Sequence, residues 1–128
     1  MNEGITCLSV ALVHPDKALR PNGRAHWAVK RRAVRAARGK ARFLMLKSRR
    51  DAEAAGALPE GWMPGRYDVT WFFWGGTGPD ADNALASCKA YLDGCCDALG
   101  VNARVLDCAG IYRVKDREQA GTVLIRFY

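Results

Sequence analysis

Acidic residues are missing from a long stretch of this sequence. Between Lys17 and Arg50 there is none, against thirteen lysines and arginines, whereas the chain beyond Arg50 carries eleven acids and seven bases. The net charge of +7 is therefore local, and a polyanion is a natural partner for the first half of the chain. No run approaches the roughly 18 uninterrupted apolar residues of a membrane-spanning helix, and no basic segment followed by an apolar run and a cleavage site opens the chain. The expectation is one cytoplasmic domain with no membrane partner. The five cysteines (Cys7, Cys88, Cys95, Cys96, Cys108) include no Cys-x-x-Cys pair, which argues against a zinc ribbon or a redox motif. Their number is odd, so they are expected to be reduced and to face the core as small hydrophobes. Proline is absent from Ala25 to Ala55, and no segment repeats.

What is present suits alternating strands and helices. Residues 5–13 are short, apolar and partly β-branched, a buried strand that stops at His14-Pro15. Arg20-Pro21-Asn22-Gly23-Arg24 is a turn sequence. From about Ala25 to Ala55, Ala, Arg, Lys and Leu predict a helix, with Trp27, Val34, Ala37, Ala41 and Leu44 as its core stripe and a break or kink allowed at Gly39. Residues 55–65 form a loop rich in Gly and Pro. Arg66 to Trp74 is the clearest strand, and Asn83 to Leu99 predicts a second helix ending at Gly100. Two strands, near Leu106–Val114 and Gly121–Phe127, close the chain. The order β-α-β-α-β-β implies an α+β fold with helices packed on a mixed sheet.

Asp80-Ala81-Asp82-Asn83 sits between the central strand and the second helix. In extended chain the side chains at i and i+2 point the same way, so Asp80 and Asp82 can converge. Clustered carboxylates repel, and Mg²⁺ resolves the repulsion by taking one or two carboxylates and completing its shell with water and phosphate oxygens. A simpler account is that Asp82 or Asn83 caps the helix and Asp80 is a loop residue. Lys89 and Asp93 return to nearly the same helical face, as a polar stripe running on from the acids or as a solvated i,i+4 ion pair.

These residues resemble the RusA-like endodeoxyribonucleases, Holliday-junction resolvases common in phages and prophages. The likeness rests on Asp80-Ala81-Asp82-Asn83 after a strand, on Lys89-Ala90-Tyr91-Leu92-Asp93 and Asp97-Ala98-Leu99-Gly100 in the following helix, on Leu19 to Trp27, and on the closing strand, and it covers nearly the whole chain. It implies Mg²⁺ at Asp80 and Asp82, Lys89 as the cation facing the reacting phosphate, and a homodimer. Lys89 stands about one turn further along than in shorter members. The family's third carboxylate follows the helix as an Asp-Asp pair, where this chain has Asn102-Ala103, and Asp107 is the nearest downstream acid to take that place.

The resemblance implies Mg²⁺-dependent hydrolysis of a phosphodiester in four-way DNA junctions, with Arg20, Arg24, Lys30, Arg31 and Arg35 as phosphate contacts on branched duplex DNA. Two other readings stay open: a junction-binding protein of the same fold that does not cut, and a basic RNA-binding module. The latter gives no reason for paired acids after a strand.

Overall fold

Leu8, Val10 and Leu12 alternate with Ser9, Ala11 and Val13, and such a period-2 pattern buries one face of a strand. In the computed structural model, which describes residues 6–21 and 26–128, these residues form β1 (Leu8–Val13) with that alternating burial. Three more strands follow: β2 (Arg66–Phe73), β3 (Asp107–Lys115) and β4 (Thr122–Phe127). They form one sheet in the order β1-β4-β2-β3, with β4 antiparallel to both neighbours and β2 parallel to β3. The chain therefore adopts the α+β, mixed-sheet class that the sequence predicts. β3 and β4, consecutive in the chain, do not pair; β4 inserts between β1 and β2.

The register stacks the core in rows. Leu8, Phe127 and Tyr67 share one row, Val10, Ile125 and Val69 the next, and Leu12, Val123 and Trp71 the third. Val69, Val123, Ile125 and Phe127 have no exposed surface, and burial of side chains of this size stabilises by about 1.5–3 kcal/mol each. Asp68 lies on the opposite face of β2. Its carboxylate, 1% exposed, accepts both Arg126 guanidinium N–H bonds (2.9 and 2.7 Å) and the Tyr128 hydroxyl (3.0 Å).

The helical layer comprises α1 (Trp27–Ala54), α2 (Ala81–Ser87) and α3 (Lys89–Leu99). α1 and α3 pack on each other where Gly94 meets Arg38 and Ala41. Across the same contact the Arg38 guanidinium donates two bonds to Asp97, at 2.6 and 2.8 Å. Those bonds hold the Asp97 carboxyl below its ordinary value. Tyr91 ties α3 to the sheet by donating its hydroxyl to the Val13 carbonyl at 2.9 Å. Among the described residues, no helix is long and apolar enough to cross a membrane.

Several local expectations need correction. α1 runs unbroken through Gly39. Its apolar stripe enters the core only from Ala37 onward. Trp27 is 65% exposed and Val34 36%, because the first turns of α1 extend past the packed contact with α3. The second helix begins at Ala81 and is interrupted at Cys88, whose ψ of 2° departs from helical values and whose N–H is shared between the Ala84 and Leu85 carbonyls. Cys88, Cys95 and Cys96 are buried as expected, while Cys7 and Cys108 are exposed; all five are free thiols. Ile5, the Asn22-Gly23-Arg24 part of the expected turn and Ala25, where the helix is expected to begin, lie outside the described residues.

Candidate functional site

The acids stand where β2 hands over to α2. Asp80 has extended backbone (φ −70°, ψ 167°), and its Oδ1 accepts the Asn83 N–H at 2.9 Å. Asp80 is therefore the helix cap, a role the sequence pattern offered to Asp82 or Asn83. Asp82 is already in the first helical turn. The two carboxylates are neighbours at one helix start, and the strand alternation of i and i+2 is not what relates them. Both are exposed, and among the described residues neither has an ion-pair partner. A negative charge is favoured there by the free N–H groups of the helix start.

A cleft of about 560 Å³ opens beside this turn, lined by Lys17, Arg20, Trp71, Pro79, Asn83 and Ser87. Its wall is built from the segment after β1. Asp16 caps the short 3-10 turn Lys17–Leu19 by accepting the Ala18 N–H at 2.9 Å, and this buries Leu19 while leaving Arg20 exposed. His14 stacks on Trp71 with ring centroids 4.2 Å apart, and its Nε2–H donates to the Phe72 carbonyl at 2.8 Å. A second cleft continues past Ser87, where Pro21, Lys30, Val34, Lys89 and Asp93 meet. Pro21 and Ser87 belong to both, so the trough runs from Asn83 to Lys89.

The structure thus gathers Arg20, Lys30 and Lys89 along one trough that begins at the acidic turn. Lys89 opens α3 and points its ammonium toward Asp93 at 3.9 Å, the i,i+4 pair expected of a solvated face. Arg31 and Arg35 line an adjoining groove along α1 with Trp27, Lys30 and Val34, the last two shared with the second cleft, and the Arg31 guanidinium is 5.8 Å from the Trp27 indole centroid. Arg24 falls outside the described residues.

Asp107 does not join the acids. It opens β3 and is in register with Arg66, the first residue of β2, while Asp80 comes seven residues after Phe73, the last. At about 3.3 Å per residue, the length of β2 separates the two ends by roughly 20 Å. Among the described residues no cluster of three potential metal ligands occurs. Asn102 and Ala103 line a groove with Lys89, Asp93 and Arg38. Two hard-oxygen carboxylates remain as the donor set. That set fits Mg²⁺, which commonly keeps several waters and takes one or two protein carboxylates beside substrate phosphate.

Lys17, Ser87 and Arg113 were not singled out by sequence pattern. Lys17 belongs to the basic run, but nothing in the pattern separates it from the other twelve bases there. Ser87, 5% exposed, looks like an ordinary helical residue until the interruption at Cys88 brings it to the trough. Arg113 donates Nη1–H to the Pro79 carbonyl at 3.2 Å and so braces the acidic turn from β3.

A protein of Xylella fastidiosa (strain Temecula1 / ATCC 700964), described as uncharacterized, is 41% identical over 98 residues, which cover 75% of this chain. The match spans 60% of that protein's length. No family model matches the chain, and no solved structure does.

Proposed function

We propose that this protein is a Mg²⁺-dependent endodeoxyribonuclease of the RusA-like type that acts on four-way DNA junctions as a cytoplasmic homodimer. The observation that carries the reading is the pair of exposed carboxylates at the end of β2, without cation partners among the described residues, beside a trough lined by Lys17, Arg20, Lys30 and Lys89. Acids opposite a basic trough suit a phosphodiester: bases draw in the backbone, and acids hold the cation that a polyanionic reacting centre requires. When bound by Asp80 and Asp82, Mg²⁺ supplies polarisation of a phosphoryl oxygen and acidification of water. Lys17 and Arg20 hold the strand along the cleft. Lys89 places positive charge on the far side of the reacting phosphate and stabilises charge developing there. Asp80, tied to the Asn83 N–H, keeps one oxygen fixed to the helix, which orients the other. A dimer suits a four-way junction because two related strands must be cut in one approximately symmetric substrate.

A second reading is favoured by one observation: Asp107 lies at the far end of the sheet, and Asn102-Ala103 occupy the place of the third acid. In that reading the chain binds branched DNA without cutting it. A synthetic four-way junction, incubated with Mg²⁺ and scored separately for binding and cleavage, distinguishes the two. The nuclease reading expects cleavage by the parent, with loss of cleavage and retention of binding in Asp82→Asn. Binding without cleavage in the parent, with cutting gained in Ala103→Asp, establishes the non-cutting reading. Absence of binding to any branched DNA sinks both. Binding must also weaken steeply with salt, since each neutralised phosphate releases counterions.

A further inference from the structure

The strand that leads into the acidic turn ends beside a group that the trough does not use. β2 ends at Phe73, and Trp74 follows with 51% of its surface exposed. Single exposed apolar residues are ordinary, so exposure alone argues nothing. The surroundings of this ring are less ordinary. The Arg117 guanidinium lies 4.7 Å from its centroid and the Lys115 ammonium 5.4 Å, making Trp74 the aromatic residue with two cations over it among the described residues. Neither cation, nor Arg113 two residues earlier, forms an ion pair among the described residues.

The arrangement is held in place before any ligand arrives. The Asp116 N–H donates to the Phe73 carbonyl at 2.9 Å, pinning the turn after β3 to the end of β2. Asp116 also spends its carboxylate within that turn, accepting the Glu118 and Gln119 N–H groups at 2.9 and 3.2 Å and the Gln119 amide at 3.3 Å. Glu118, the other acid of the turn, is exposed and pairs with none of the three cations. Arg113 reaches the Pro79 carbonyl, the residue before Asp80. Gly75, Gly76 and Gly78 take φ of 80°, 66° and 69°, which lets the chain pass from Trp74 to the acids in six residues.

A half-open indole flanked by unpaired cations matches a nucleotide, whose base offers a π face and whose phosphates offer charge. Paired and stacked bases inside a duplex present no free face, whereas a base at a branch point can be unstacked. We propose that Trp74 stacks on an unpaired base at the exchange point of the DNA, with Lys115 and Arg117 on the flanking phosphates. This rests on the DNA-directed reading above and adds a strand-separating contact apart from the residues that line the basic trough. The stacked base takes ring surface that the cations now share, which frees their charge for the backbone.

The test uses the full chain, a four-way junction with 2-aminopurine at the exchange point, and a duplex of the same sequence. The parent quenches the 2-aminopurine signal. Trp74→Ala abolishes the quench and weakens junction binding about 5- to 150-fold, leaving duplex binding within about twofold; Trp74→Phe retains most of both. Far-UV circular dichroism and a melting curve verify that each variant is folded, and Arg117→Gln, which keeps the ring, lowers junction affinity and flattens its salt dependence. Parental affinity and quenching in folded Trp74→Ala overturn the stacking contact while leaving the DNA-directed reading intact. Equal losses on junction and duplex overturn the unpaired-base assignment. A parent that binds neither DNA overturns this proposal together with the reading beneath it.

Discussion

Two helical glycines are expected to respond to the same substitution with opposite signs. Gly39 lies in exposed α1, and a Cβ added there meets nothing within 4 Å. Gly39→Ala removes backbone freedom from the unfolded chain and should stabilise by about 0.5–1 kcal/mol. Gly94 lies in α3 under α1. A Cβ built there falls on the Arg38 carbonyl oxygen, 2.9 Å from the Arg38 carbonyl carbon and 3.1 Å from the Ala41 methyl. Backbone cannot swing aside as a side chain can, so the helices must separate, by on the order of 1 Å. A gap of that size forfeits about a quarter to a half of each contact's attraction. The contacts at risk include those of Ala41 and Met45, both fully buried. Overpacking costs about 1–3 kcal/mol, with the upper end expected where the obstacle is backbone; set against a helix-propensity gain of about 1 kcal/mol, this leaves Gly94→Ala net destabilised by about 2 kcal/mol. For a chain of this length each kcal/mol moves the midpoint by about 3–4 °C. Thermal unfolding followed by circular dichroism should therefore show Gly94→Ala melting about 6–8 °C below the parent and Gly39→Ala about 2–4 °C above it. A Gly94→Ala variant that melts at or above the parent would refute the close approach of α1 and α3.

The Asp97 contribution to stability should be pH-dependent. Its bonds from Arg38 depress its pKa in the folded state, so the contribution is fully present above the ordinary value of 3.8 and is lost as pH falls through the depressed one. Acid titration should show the parent losing this increment below about pH 4, and Arg38→Met lacking it; identical acid profiles would contradict the pair. On β2 the two partners of the Asp68 pair should be unequal. Arg126→Ala strands a carboxylate that is 1% exposed, at about 3–5 kcal/mol, whereas Asp68→Asn leaves an Arg126 side chain that is 46% exposed and reaches water, and should cost less in urea unfolding. The thiols should divide in a titration with a disulfide reagent on the native protein. Cys7 and Cys108 react early, while Cys88, whose pKa burial pushes up to about 12, Cys95 and Cys96 react only on unfolding.

Element types and their order were legible because each rests on a local period. Alternation in β1 and the β-branched and aromatic run of β2 are sufficient by themselves. Pairing is not local, and nothing in β4 announces that it lies between β1 and β2. The stripe from Trp27 to Leu44 shows why periodicity overreaches: it records which side of a helix is apolar but not where along its axis a partner begins. Gly94 carried a signal, an isolated glycine in a helical pattern, whose meaning needs the opposing backbone of Arg38. At the site, the acidic pair was visible as a motif, but its geometry was not. Whether Asp80 or Asp82 caps the helix depends on where the chain turns, and the remoteness of Asp107 depends on the parallel register of β2 with β3.

That register has a consequence in time. β3 is an edge strand with most of its residues exposed, joined to the sheet through β2 alone, and its parallel ladder closes only after a long crossover. Such a strand is the segment expected to open first, exchanging its amide hydrogens ahead of β2 and β4. Yet Arg113 of this strand holds the Pro79 carbonyl, and Lys115 and Arg117 follow it to the ring of Trp74. The acidic turn therefore keeps its shape only as long as the least protected strand stays in place, and a polyanion that engages the cations of β3 would slow that opening and steady Asp80 at the same moment.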